Sequence, residues 1–230
     1  GDCKVISSLV KKFETNNSLT AVFLGDSVTH GYFESIEGMH GVTDYESVYH
    51  NVLRKKINAV FPHRKFNVIN SGIGGDSASS GVKRAERDVA GHSPDLTVVC
   101  YGLNDVNGEL ENYANSLDLI FKKLKNTDTE VIFMTPNMLN TRVTGTILKE
   151  YAEKTAQYQN GGKMDLFMKT AKETAHENGV AVADCYTKWK ALERAGADIN
   201  LLLANRINHP IRSMHNLFAE TLFNTIFFEE

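Results

Sequence analysis

Ala-Val-Phe-Leu-Gly-Asp-Ser-Val-Thr-His-Gly, residues 21–31, decides how this chain folds. A short apolar run stops abruptly at a glycine, an acidic residue and a serine. Such a run, too short for a helical repeat, predicts a buried strand, here over residues 20–24. A buried strand delivers the serine that follows it to the edge of a sheet, where a hydroxyl can meet a ligand. Serine is a poor nucleophile at neutral pH and needs a base to take its proton. Near the other end of the chain stands Asn208-His209-Pro210, and His209 is a candidate for that base.

Outward from this strand, apolar residues recur at helical spacing over residues 45–60, at Val48, Val52, Leu53, Ile57 and Val60. Residues 66–69 predict a second strand. Residues 78–90 predict a helix with a thin apolar face. Residues 96–100 form a continuous apolar run, the pattern of a strand covered on both faces. A helix over 110–124 carries Leu117, Ile120, Phe121 and Leu124 on one side, and residues 131–134 predict a fourth strand closed by Pro136. Residues 147–178 are helical with a break at Gly161 and Gly162, and Gly179 suits the position just past a helix end. A fifth strand over 180–183 and a terminal helix over 213–228 complete the series. Strands alternate with helices, so an α/β fold with a parallel sheet covered on both faces is expected. Ligands of such sheets bind beyond the carboxyl ends of the strands. That rule places Ser27, Gly75 and Asn104, in the loops after strands one, two and three, on one rim.

The chain has 230 residues with 42% hydrophobic content and 4 prolines. One domain over residues 1–230 is the expectation. A net charge of −3 with interspersed signs shows no basic footprint for nucleic acid. No apolar stretch is long enough to span a bilayer, and no signal peptide is visible. The lack of a visible signal peptide favours a cytoplasmic location, and Gly1, read as a processing remnant, leaves export behind a removed leader as the alternative. Cys3, Cys100 and Cys185 are too widely spaced for a zinc site or a disulfide framework. Cys100 and Cys185 border apolar runs and are expected to be buried free thiols.

Each motif has a plainer competitor. Ser27 could be an N-cap opening a helix. The same tripeptide recurs at Gly75-Asp76-Ser77, but only Ser27 follows its strand directly. Gly72-Ile73-Gly74-Gly75 falls one glycine short of a dinucleotide fingerprint and lacks the Lys-Ser/Thr end of a P-loop. Its glycines instead suit close approach of a backbone N–H to a ligand. Asn104 in Gly102-Leu103-Asn104-Asp105 offers an amide donor for a developing oxyanion. An Asx turn is the competing account. His209 is one of 8 histidines. Proline after it holds it extended, and an unshifted imidazole titrates near neutrality. His215 is expected to pack or cap within the terminal helix, and His30 to line a pocket at most.

Together the four segments Gly25-Asp26-Ser27, Ile73-Gly74-Gly75-Asp76-Ser77, Gly102-Leu103-Asn104-Asp105 and Asn208-His209-Pro210 resemble the four blocks of the SGNH hydrolase superfamily, also called GDSL esterases. The resemblance spans residues 20–230. It implies a flavodoxin-like three-layer sandwich with a five-stranded parallel sheet in the order 2-1-3-4-5. It also implies Ser27 as nucleophile, His209 as base, and an oxyanion hole made of Ser27 N–H, Gly75 N–H and the Asn104 side chain. One departure stands out. The family usually carries an Asp three residues before the His, and here that position is Arg206, beside Asn205. Asp198, Asp184 or a backbone carbonyl are the candidates for orienting His209.

The resemblance thus implies a serine esterase working through an acyl-enzyme, with no metal and no cofactor. The expected substrate is a small acyl ester, foremost an acetyl ester on a carbohydrate. A short-chain lipid ester or thioester is the runner-up. A non-catalytic binding protein that retains the fold is the alternative of another class, suggested by the missing Asp.

Overall fold

The structure, a computed structural model, describes residues 7–37 and 41–228. Cys3 lies outside the described residues. Along the chain come α1 (Ser7–Thr15), β1 (Ser18–Gly25), the single turn α2 (Ser27–His30), α3 (Tyr49–Val60), β2 (Lys65–Gly72) and α4 (Ala78–Asp88). They are followed by β3 (Leu96–Cys100), α5 (Leu110–Lys125), β4 (Glu130–Met134), α6 (Lys149–Asn160) and α7 (Lys163–Glu177). The last three are β5 (Ala181–Ala183), α8 (Cys185–Arg194) and α9 (His215–Phe227).

The five strands form one parallel sheet in the order β2-β1-β3-β4-β5, as expected. On one face α3 packs against α9; on the other α4, α5 and α7 pack in series. Every residue of β3 is buried, and so are Ala21 to Leu24 of β1, which accounts for their unbroken apolar runs. The register is level where it matters. Gly25 at the end of β1 pairs with Gly72 of β2 and with Cys100 of β3. The loops after these three strands therefore leave the sheet side by side.

The elements depart from the sequence pattern in instructive places. The helix expected from residue 45 begins at Tyr49, because the Asp44 carboxylate takes the N–H groups of Glu46 and Ser47 at 3.0 and 3.1 Å and holds them in a turn. The thin apolar face of α4 is real. Gly81 lets the helix close onto the Tyr101 ring, and Arg84 lies buried beneath the helix. The break between α6 and α7 falls at Gly161 and Gly162, with Gly162 left-handed at φ 77°. The helix α8 was not expected; its buried residues, Cys185, Tyr186 and Trp189, are too few to show a period. Cys100 and Cys185 are free and buried.

Candidate active site

β1 ends at Gly25, where no side chain fits. A Cβ would lie 2.2 Å from Thr29 Oγ1 and 2.7 Å from the Cys100 carbonyl. Asp26 then caps α2, accepting the Val28 N–H at 3.0 Å, and Ser27 becomes the first helical residue. Its N–H is one of those that no helical carbonyl can reach. The N-cap of this turn is thus Asp26, not Ser27, which leaves the Ser27 hydroxyl for other work. Asp26 is fully buried, its Oδ2 has no partner, and burial raises its carboxyl to about 7.

The Ser27 hydroxyl lies 2.9 Å from His209 Nε2. The two residues stand 182 positions apart, and the fold brings them together. His209 Nδ1 lies 2.9 Å from the Phe33 carbonyl oxygen. A carbonyl can only accept, so Nδ1 carries the proton and Nε2 presents its lone pair to the serine. Burial lowers the imidazole to about 4, and the Phe33 carbonyl opposes part of that shift. At neutral pH the ring is uncharged and ready to receive a proton.

The loop carrying His209 is built by Asn205. Its Oδ1 accepts the N–H groups of Ile207, Asn208 and His209 at 3.0, 2.9 and 2.9 Å. Its amide donates to Asn208 Oδ1 at 2.9 Å. Arg206, next to it, takes a left-handed backbone at φ 62° and sends its guanidinium to the Asn200 carbonyl at 2.8 Å.

Neither carboxylate expected as a His-orienting acid serves in that way. Asp198 caps a short 3-10 turn (Ile199–Leu202) through the Asn200 N–H and pairs with Arg142. Asp184 caps α8 through the Thr187 N–H and pairs with Lys172 at 2.7 Å. Both are already committed to local caps and to cations elsewhere. Of the three candidates it is the backbone carbonyl that faces His209 Nδ1, and it belongs to Phe33.

The loop after β2 turns at Gly75, left-handed at φ 76°, with open space where its Cβ would be. Behind it the Asp76 carboxylate is buried against Arg84 (2.8 and 2.5 Å) and the Tyr101 hydroxyl (2.9 Å). Arg84 also donates to the carbonyls of Gly25 and Ser71, at the ends of β1 and β2. The Asp76 carbonyl in turn receives the Asn104 Nδ2 at 2.8 Å. One amide hydrogen of Asn104 is used there, and the second remains for a ligand. Ser27, Gly75, Asn104 and His209 all line one cavity of about 490 Å³, with His30, Tyr32 and Tyr151 on its walls.

The second Gly-Asp-Ser behaves differently. Ser77 stands at the N-cap position of α4 without making the cap bond, and its hydroxyl meets Ser79 at 3.1 Å. Asp105 receives the Ala78 N–H instead, at 2.8 Å. His215 opens α9 and accepts the Tyr49 N–H at 3.0 Å, a structural role. The sequence offered no sign of Phe33, whose contribution is a main-chain atom. Asn205 carried one, since an Asn heading a short polar loop is an Asx-turn former. Among the described residues, no group of three or more His, Cys, Asp or Glu side chains comes together as a metal site would require. No described helix is long and apolar enough to cross a membrane.

Comparison with known proteins gives consistent findings. The model of the GDSL-like lipase/acylhydrolase family matches residues 23–217. An acetylxylan esterase of Geobacillus stearothermophilus is 26% identical over 214 residues, covering 90% of this chain and 94% of that protein. A catalytic mutant of that organism's acetylxylan esterase Axe2 superposes with a TM-score of 0.72 at 21% identity, covering 91% of this chain and 94% of the other. A lipase/acylhydrolase from Enterococcus faecalis superposes with a TM-score of 0.70 at 22% identity, covering 90% and 95%.

Proposed function

Since the chain belongs to the GDSL-like lipase/acylhydrolase family and is a carboxylic ester hydrolase, we propose that Ser27 and His209 carry out its acyl transfer and that its substrate is an acetyl ester on a carbohydrate. The observation that carries the assignment is the 2.9 Å approach of Ser27 Oγ to an Nε2 whose ring is held in the accepting tautomer.

His209 Nε2 takes the proton of Ser27 as Oγ attacks the ester carbonyl. The carbonyl π electrons move onto oxygen. The resulting oxyanion meets the Ser27 N–H, the Gly75 N–H and the second amide hydrogen of Asn104. Such donors act before the charge develops and need no reorganisation. The tetrahedral intermediate collapses, the C–O bond to the alcohol breaks, and His209 returns its proton to the departing oxygen. Water then enters, gives a proton to Nε2 and attacks the acyl-enzyme. The second collapse frees the acid and restores the Ser27 hydroxyl.

The Phe33 carbonyl performs one of the two tasks of a triad carboxylate. It fixes the tautomer. It stabilises the imidazolium less, because a dipole replaces a full charge. The acetyl-carbohydrate reading is supported by the acetylxylan esterase relative and by the walls of the cavity. Tyr32 and Tyr151 line it together with Ser35 and Asn104. Ile73 and Leu148 also line it and are 44% and 46% exposed, which favours a short-chain lipid ester as the second reading.

A fluorophosphonate probe tests the chemistry: stoichiometric labelling of the protein and none of Ser27→Ala is expected, and an unlabelled folded protein refutes it. Rates on acetylated xylooligosaccharides against nitrophenyl esters of increasing chain length test the substrate class. A preference for acyl chains of eight carbons or so would overturn the acetyl assignment.

A further inference from the structure

A main-chain carbonyl can orient a histidine only if its own segment is held still. Phe33 lies in a segment of two described arms, residues 31–37 leaving the site after α2 and residues 41–44 leading toward α3. Its arms are joined by Phe33 N–H to the Val42 carbonyl and by Val42 N–H to the Glu34 carbonyl, both 2.9 Å. The Asp44 N–H meets the Gly31 carbonyl at 3.0 Å. None of these bonds links the segment to the loop that carries His209.

Beside the contact of His209 with Phe33 itself, such a link is made by Arg212, three residues past His209. Its Nη1 and Nη2 grip both oxygens of Glu34 at 2.6 and 3.2 Å, and its Nε holds Asp44 at 2.8 Å. Its guanidinium also lies over the Phe33 ring, 4.5 Å from the centroid. One planar fork therefore binds the neighbour of Phe33, the returning arm and the Phe33 side chain together. Only arginine has the donors for this; a lysine ammonium cannot span two carboxylates in a fixed plane. The Phe33 ring is also packed by His215, with 4.8 Å between ring centroids.

We propose that Arg212, with Glu34 and Asp44, is the positioning device for the Phe33 carbonyl, and so for the His209 ring, in a chain that lacks the usual acid. Arg212 touches no reacting atom; it acts through Phe33. This rests on the assignment of Ser27 and His209 as the reacting pair. The three side chains are between a quarter and two-fifths exposed. An ion pair so exposed contributes little to overall stability. The clamp should therefore show itself in kcat rather than in folding.

The test uses the full chain with Arg212→Gln, Arg212→Lys and Glu34→Gln. Arg142→Gln is the control, removing another exposed pair, with Asp198, away from the cavity. Rates are measured on nitrophenyl acetate, folding by circular dichroism and thermal melting. The His209 Nδ1–H resonance is followed by 1H–15N NMR and identified by its loss in His209→Gln. A small displacement of a catalytic group costs on the order of 10²-fold in rate. Arg212→Gln is expected to lower kcat by about tenfold to a hundredfold, with KM and the melt little changed and the Nδ1–H signal broadened or lost. Arg212→Lys should recover part of the loss, Glu34→Gln should fall between, and Arg142→Gln should match the parent. A folded Arg212→Gln protein with parental kcat and an intact resonance overturns the proposal. If Arg212→Gln fails to fold, Glu34→Gln decides by the same two readouts. Should the parent hydrolyse no ester, the reaction assigned to Ser27 and His209 fails, while the resonance still judges the clamp.

Discussion

His209 Nδ1 and the Phe33 carbonyl oxygen stand 2.9 Å apart, in residues 176 positions distant in the chain. This contact holds the imidazole with its lone pair toward Ser27. Asp198 and Asp184 spend their charges on Arg142 and Lys172. Replacing either by Asn should accordingly leave kcat within about twofold, whereas loss of a true triad acid can cost about 10⁴. Steady-state kinetics on an acetyl ester decides; a loss of several hundredfold in Asp198→Asn or Asp184→Asn would restore a carboxylate to the mechanism.

Arg206→Asp places a carboxylate at the position where the family usually has one. The structure gives no reason for this to raise kcat. The Arg206 side chain runs to the Asn200 carbonyl, and Nδ1 of His209 already has its partner. Asp tolerates the left-handed backbone found there, so the variant should fold, with kcat no higher than the parent. A clear gain in kcat would show that the loop can turn the new carboxylate inward.

Only one of the two Gly-Asp-Ser serines lies beside His209. Ser27→Ala should abolish turnover and Ser77→Ala should retain most of it, measured on nitrophenyl acetate. The reverse result would refute the placement of the nucleophile.

Asn104→Ala should lower kcat by roughly 10²–10³ with the fold intact, the usual effect of losing one oxyanion donor. Its amide is aimed by the Asp76 carbonyl, and Asp76 is held by Arg84. Arg84→Met should therefore also lose activity, and stability as well. Removing one partner of a buried pair leaves a buried charge unpaired and costs about 3–5 kcal/mol. Urea denaturation beside kinetics separates the two; an Arg84→Met protein of parental stability would refute the account of that pair.

Burial lowers His209 to about 4. As the proposed base it works only when neutral, so kcat/KM should hold from neutral pH down and fall as pH drops through about 4. An unshifted imidazole would place the fall near 6.5. A pH profile of kcat/KM with its acid limb at 6 or above would contradict the burial seen here.

Asp26 has the opposite leaning: burial raises its carboxyl to about 7 from an ordinary 3.8. Between those values the unfolded chain has released a proton that the folded chain keeps. Stability must then fall as pH rises through the window, by about 1.4 kcal/mol per pH unit where the difference is complete. Asp26→Asn cannot ionise and should gain on the parent between pH 4 and pH 8, read from urea midpoints. An unchanged difference between the two pH values would mean that Asp26 is not held protonated.

The sequence by itself determined the sheet and its rim. The apolar runs of β1 and β3 are legible because both faces of those strands are covered, so no polar alternation interrupts them. Gly25, Asp26 and Ser27 are legible because a strand end, a cap and a hydroxyl follow one another in the chain, and the rule for parallel sheets then places Gly75 and Asn104 beside them. What only the tertiary structure decided is what stands behind His209. Orientation is a matter of distance, and Phe33 donates no side-chain chemistry that a residue name could announce. Its carbonyl is a backbone atom, present at every position and meaningful at this one because a return segment, the Asn205 turn and the Arg212 fork converge there. A missing Asp three residues before the histidine is visible in one dimension; the atom that takes its place is visible only in three.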